Sequence, residues 1–375
     1  MTANVLITAD TLAREGVMAL ERTIVSPRLV YRDATQDFTG GAKGDTVVLR
    51  KPSTFVADEF DGDTTLQYGA ESSVNLTLDY HFDVSFPLTA RDLTLSLDDF
   101  TGQFVAPAMR AISKSVGDYV ASQYIGIPYF AGTAGTPPAE LADLTGPGEV
   151  LDSNFAPPDD RFGLVSSRTK ASMLSIPEVV SAEKRGDNGT ALRTASVGNV
   201  MNIEYFMDHT VKTHTCGTWQ AGTCVVDGDV DADATTMDID GGVGTETLLK
   251  GDIFTVAGVT GQYVVTANAT ATAGAATGVA FYPAAPTGGF PDDSAITIIA
   301  SHTANIIAHP HAIALALVPP NVPRSNVDAA YMNYNGVSMR VVIGWDPAKQ
   351  QDVVSFGVLA GAALIQPELA CRLLG

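Results

Sequence analysis

Between Ser73 and Phe86 the chain alternates without a break. Val74, Leu76, Leu78, Tyr80, Phe82, Val84 and Phe86 hold one parity, and Ser73, Asn75, Thr77, Asp79, His81, Asp83 and Ser85 the other. Successive strand side chains point to opposite faces, so this period of two predicts one β-strand with an apolar and a wet face. At about 3.3 Å per residue it would run roughly 40 Å, against roughly 17–20 Å for an ordinary strand. A strand of that length either crosses a large sheet or leaves its domain as an arm. An apolar arm needs a covering partner. The expectation is a chain that assembles with copies of itself, through Val74, Leu76, Leu78, Tyr80, Phe82 and Val84.

A chain of 375 residues, 45% hydrophobic and 17% charged, can build two or three domains with real cores. No apolar run approaches the ~18 residues of a membrane helix, so no membrane partner is expected. Met1-Thr-Ala-Asn-Val-Leu also lacks the basic start of an export signal. The net charge of −20 opposes a broad grip on phosphate. It suits a container wall that must not stick to its contents, and it keeps unassembled subunits soluble.

Residues 8–24 read as a short amphipathic helix with Thr8 as N-cap and Asp10 at its positive end. Leu12, Ala19, Leu20 and Ile24 lie near one face, and Gly16 weakens it, as in an arm held by a neighbour. A turn at 39–45 precedes a strand at 46–51. That strand should pair with the opening of the alternating one across the acidic loop 52–72, making a two-stranded projection. Residues 98–124 read as a long helix, with Val105, Met109, Ile112, Val116 and Val120 three or four apart. Pro107 should kink it or mark a short first turn. Residues 131–160 read as a Gly/Pro/Ala-rich connector, followed by mixed α/β structure from Phe162. Residues 225–300 hold only one basic residue, Lys250, and short strand candidates between turns, which predicts a small all-β module. Residues 303–318 show a helix-like apolar pattern; strands follow at 338–343 and 353–359, with a last short one after Pro367.

No enzyme site is expected. Gly-x-Ser-x-Gly, His-Glu-x-x-His and the phosphate-cradling Gly-x-x-x-x-Gly-Lys-Ser/Thr are all absent, and Gly40-Gly-Ala-Lys-Gly-Asp has the wrong spacing. Asp227, Asp229 and Asp231 match the first ligands of a calcium loop. Ala232 replaces its glycine and Asp238 its closing glutamate, so the run reads as a solvated acidic loop. Five of six histidines flank the β module: His209, His214, His302, His309 and His311. They should converge where it joins the rest, near Cys216 and Cys224. The spacing fits no ordinary zinc motif, and neither metal nor cofactor is expected. Three cysteines are too few for a disulfide framework.

Four segments resemble one family. They are Ala191-Leu-Arg-Thr-Ala-Ser-Val-Gly-Asn-Val-Met-Asn-Ile-Glu-Tyr205, Leu249-Lys-Gly-Asp-Ile-Phe-Thr-Val-Ala-Gly-Val259, Ala308-His-Pro-His-Ala-Ile-Ala-Leu-Ala-Leu-Val318 and Phe356-Gly-Val-Leu-Ala-Gly-Ala-Ala-Leu-Ile-Gln-Pro-Glu-Leu-Ala370. In that order, between a β projection, a long helix and late strands, they resemble the major coat proteins of tailed bacteriophages. The fold implied is the α+β HK-97-like capsid fold, in the P-22-type branch with an inserted β domain. Gln366 stands where the family's closing motif has Arg, which removes the cation of an ion pair there. The resemblance implies an N-terminal arm (1–30) and an extended loop (31–87). It implies a peripheral domain (88–150 and 326–350), an axial domain (151–215, 301–325 and 351–375) and an inserted all-β domain (216–300). It further implies pentamers and hexamers closing an icosahedral shell around double-stranded DNA. Scaffolding and portal proteins are the implied partners, with a decoration protein as an optional one, and assembly would take place in the host cytoplasm. Asp10 and Glu15 are the implied scaffold contacts. The apolar face of the alternating strand should lie over the long helix of the adjacent subunit. An encapsulin-like nanocompartment is the related alternative; a β-rich adhesin is the alternative from another class.

Overall fold

A computed structural model describes residues 9–23, 25–32, 46–51, 73–89, 101–185, 189–219, 224–322, 328–334, 337–346, 348–349 and 351–375. The expected cap Thr8, Ile24, the turn at 39–45 and the loop 52–72 lie outside them. The chain divides into two compact units, residues 1–120 with 313–366 and residues 121–312 with 367–375. Among the described residues no helix is long and apolar enough to cross a membrane.

In the first unit, helix Ala9–Thr23 buries Ala9, Leu12, Ala13, Val17 and Leu20, a stripe at helical spacing. The stripe packs against strands Asp328–Tyr334 and Val337–Asp346. Asp328 Oδ2 accepts the Ala9 N–H at 3.0 Å, satisfying one orphan donor of the helix start. At Gly16 the approach is closest: a Cβ there would lie 2.6 Å from Met339 Cε, beside Phe356 and Met109. The expectation that a neighbour holds this segment is therefore corrected, because the sheet of its own unit does.

Among the described residues the long helix runs as a π turn, Thr101–Val105, an α-helix, Ala106–Ala121, and a 3₁₀ turn, Ser122–Gly126; the expected residues 98–100 lie outside them. Pro107 falls where the π turn passes into the α-helix, the place at which the regular hydrogen-bond ladder changes. Val105, Met109, Ile112, Val116 and Val120 are all buried, as their spacing predicts.

Strand Gln351–Leu364 organises the five-stranded antiparallel sheet of this unit. Its first half pairs with both Tyr80–Thr89 and Val337–Asp346, which therefore flank it on opposite sides. Its second half pairs with Ile313–Val318, and Asp328–Tyr334 extends the sheet beyond Val337–Asp346. A separate ribbon pairs Thr46–Arg50 with Ser73–Thr77, the antiparallel partnership read from the sequence.

The second unit holds a seven-stranded mixed sheet. From one edge its strands are Phe130–Ala131, Ala370–Leu374, His302–Ala308, Arg161–Val165, Ile203–Met207 and Gly198–Val200, with Thr213–His214 also on His302–Ala308. The helix-like pattern over 303–318 is corrected: it is two strands, His302–Ala308 and Ile313–Val318, around a 3₁₀ turn at Pro310–Ala312, and the first lies in this sheet. In that first strand residues 304–308 are all buried; a strand covered on both faces shows no alternation, and period cannot reveal it. The helix Leu141–Ser153 corrects the expected connector. The Asp143 carboxylate accepts the Ala139 and Glu140 N–H groups at 2.8 and 3.1 Å, which starts the helix. Burial of Leu144, Pro147 and Leu151 then outweighs the poor propensity of Gly146-Pro147-Gly148.

Residues 219–298 build a β-rich part with its own core, as the composition predicts. Six strands run in the order Ile296–Ile298, Ile253–Val256, Tyr263–Val265, Ala276–Tyr282, Thr236–Asp240 and Val225–Val226. Phe254, Tyr263, Phe281 and Phe290 interlock with centroids 5.1–6.0 Å apart.

Candidate assembly surface

The ribbon carries the first half of the alternation. Val47 pairs with Leu76 and Leu49 with Val74, while Thr46, Val48 and Arg50 face Thr77, Asn75 and Ser73 across the wet side. Leu76 is fully buried against Ala314 and Ala316, with Leu49, Leu78, Tyr31 and Ala363 around it. Of the residues expected to meet a neighbour, Leu76 is thus consumed inside its own unit. The chain leaves strand geometry at Leu78–Asp79, so the alternation is two strands and not one. Gly361 permits the ribbon's end to press on the sheet: a Cβ there would lie 2.3 Å from Thr77 O.

Beyond that break, Tyr80–Thr89 is an edge strand, paired on one side only among the described residues. Its apolar face is covered by the long helix of the same chain. Tyr80 packs edge-on to Tyr119 at 4.6 Å, and Phe86 lies 5.3 Å from Phe104 and 5.9 Å from Phe356. The Tyr119 hydroxyl accepts the Ala362 N–H at 3.1 Å, and its burial pushes that phenol above the ordinary tyrosine range. Within one chain, the face expected over an adjacent subunit's helix thus also meets its own long helix. The wet face is spoken for as well, since Asp83 accepts from Ser355 at 2.6 Å and from Ser85 at 2.7 Å. Asp83 and Pro87, a charge and a missing donor, are devices that keep an edge from pairing indiscriminately.

Val74, Leu78, Phe82 and Val84 remain half-buried, and Tyr80 is 50% exposed. The larger exposed apolar side chains of this unit were not read from the sequence: Tyr331 at 66%, Val48 at 57% and Trp345 at 56%. Trp345 shares parity with the buried Val337, Met339 and Val341, so alternation alone places it inside. Asp10 and Glu15 are exposed on the first helix, away from its buried stripe.

In the second unit two of the five flanking histidines converge. His302 and His214 stand opposite each other on paired strands, rings 5.4 Å apart. The His309 and His311 rings lie tilted to each other with centroids 5.2 Å apart, and His209 is exposed. Cys216, Cys224 and Cys371 are free thiols; burial pushes Cys224 up to about 12. Among the described residues no three His, Cys, Asp or Glu side chains are grouped as metal ligands. The acidic run orders backbone instead, Asp229 accepting the Asp292 N–H at 3.0 Å and Asp238 the Gly278 N–H at 2.7 Å. In the closing motif Glu368 accepts a hydrogen bond from the Tyr282 hydroxyl.

No family model matches the sequence, and no curated protein sequence matches it. Solved structures do. A chain of Mycobacterium phage Che8 superposes with a TM-score of 0.52 at 13% identity, covering 93% of this chain and 90% of its own. The capsid of cyanophage P-SCSP1u gives 0.44 at 10% identity over 88% and 83%. The capsid of Ralstonia phage GP4 gives 0.42 at 8% identity over 88% and 83%. At such identities the likeness establishes a fold alone, a mixed helix-and-strand fold shared with the Che8 chain.

Proposed function

We propose that this chain is the major coat protein of a tailed phage, forming pentamers and hexamers of an icosahedral shell around double-stranded DNA. The observation that carries the reading is the extent of the Che8 superposition. It takes in 93% of this chain and 90% of that one, so a whole fold is shared and not a recurring motif. The domain roles implied by the family resemblance belong to the same proposal, with residues 216–300 as the inserted domain. Scaffolding and portal proteins are the proposed partners, and the exposed Asp10 and Glu15 the proposed scaffold contacts. Tyr80, with Val74, Leu78, Phe82 and Val84 beside it, is the proposed contact with a neighbouring subunit. The negative charge of the chain favours an inner wall that does not bind its contents.

Electron microscopy of the expressed protein, alone and with a candidate scaffold, tests the reading. Closed shells tens of nanometres across are expected, on the order of many chains per particle. A monodisperse monomer under every condition would sink it. Shells that fill with a co-expressed enzyme in place of scaffold would favour a nanocompartment.

A further inference from the structure

We propose that the buried cluster around His302 is a proton-operated latch, holding the β-rich part to the seven-stranded sheet near neutral pH and loosening it in mild acid. The chain enters and leaves the β-rich part through one neck, where Thr213–His214 pairs with the start of His302–Ala308. Four other side chains meet His302 there, each from a different element. Asp252, ahead of strand Ile253–Val256, is fully buried. It accepts from His214 Nε2 at 2.7 Å, the Leu249 N–H at 2.7 Å and the Gly217 N–H at 3.1 Å. Tyr124, from the 3₁₀ turn, bonds His214 Nδ1 through its hydroxyl at 3.0 Å. Arg372, from the last strand, donates to the Gly251 carbonyl at 2.9 Å and the Ile125 carbonyl at 3.2 Å, and its guanidinium lies 5.1 Å from the Tyr124 ring centre.

Two atoms of this cluster are left without a partner among the described residues, Arg372 Nε and His302 Nε2, and of the two only the imidazole nitrogen can take up a proton. His302 Nδ1 lies 2.8 Å from the Ala300 carbonyl, which can only accept, so Nδ1 carries the hydrogen. Its Nε2 is buried and has no partner among the described residues. A proton arriving at Nε2 therefore finds no acceptor. It adds a second cation beside Arg372, while the one carboxylate is already committed to three donors. Burial above all holds this imidazole down to about 4. Arg372 and His214 push the same way; the Ala300 carbonyl and Asp252 oppose them. Once the neck opens, the ring regains the ordinary histidine affinity near pH 6.5. The sign follows: the closed neck is fully favoured above about pH 6.5, and its advantage falls about tenfold per unit between there and about pH 4.

Hydrogen–deuterium exchange of the full chain, corrected for the intrinsic effect of pH, tests this. Peptides spanning 213–217, 249–253 and 300–304 should lose protection about tenfold per pH unit below about 6.5, while 161–165 keeps its own. In His302→Asn the amide nitrogen can still donate to the Ala300 carbonyl but takes up no proton, and the neck peptides should show no such loss. The same pH dependence in His302→Asn, or loss in all peptides of the unit together, overturns the latch. Exchange of the His302 ring C2 hydrogen in the unaltered protein needs no variant; a midpoint near 6.5 there overturns it too.

Discussion

Met201 and Asn202 join strands Gly198–Val200 and Ile203–Met207 with nothing else between them, both at positive φ, 51° and 63°. Two left-handed residues make the hairpin turn whose twist matches its strands, yet a side chain such as methionine costs about 1–2 kcal/mol in that region. Met201 is exposed, so little packing is lost with it. Met201→Gly should raise the unfolding free energy by about 1 kcal/mol, measured from the denaturant midpoint at unchanged slope. Gly16 gives the opposite lesson. In an isolated helix a larger residue there would stabilise by about 1 kcal/mol; here the space holds Met339, Phe356 and Met109. Gly16→Leu should destabilise the chain by about 1–3 kcal/mol through overpacking, visible as a lower Tm.

At the scale of elements, the ribbon and the edge strand part company in what a charge would do. An aspartate at Leu76 would be buried among Ala314, Ala316 and Leu49, and Leu76→Asp should release the ribbon from the sheet at a cost of several kcal/mol, on the order of an unpaired buried charge. Tyr80→Asp replaces a half-exposed ring. Loss of its edge-on contact with Tyr119 should cost about 1 kcal/mol, leaving the chain folded, and the substitution should abolish shell formation under electron microscopy; normal shells would remove Tyr80 from the contact surface. Helix Leu141–Ser153 depends on its cap more than on its composition. Asp143→Ala frees two backbone donors and should cost about 1 kcal/mol, with loss of protection confined to residues near 139–145.

For the whole molecule, a formal charge of −20 sets the terms on which copies approach one another. Repulsion between subunits is screened as the Debye length falls from about 30 Å at 0.01 M salt to about 8 Å at 0.15 M. Shell formation, followed by light scattering, should quicken over that range; slowing would mean that attraction between opposite charges dominates the contacts. Much of the molecule's plan was legible without coordinates. The strand pair 46–51 with the opening of 73–86, the buried positions of the long helix and the β-rich stretch after 225 all follow from periods and turn residues. Those are local properties, so the sequence by itself determined which segments have an apolar face and how long each face is. What covers a face is not local. Folding placed the alternating strand against its own Tyr119 and Phe104, turned the stretch 304–308 into a central strand buried on both faces, and gathered Arg372, Asp252 and His302 from distant segments at one neck. Only the tertiary structure decided these, because burial and hydrogen-bond partners depend on contacts between residues far apart in the chain, and no spacing along it records them.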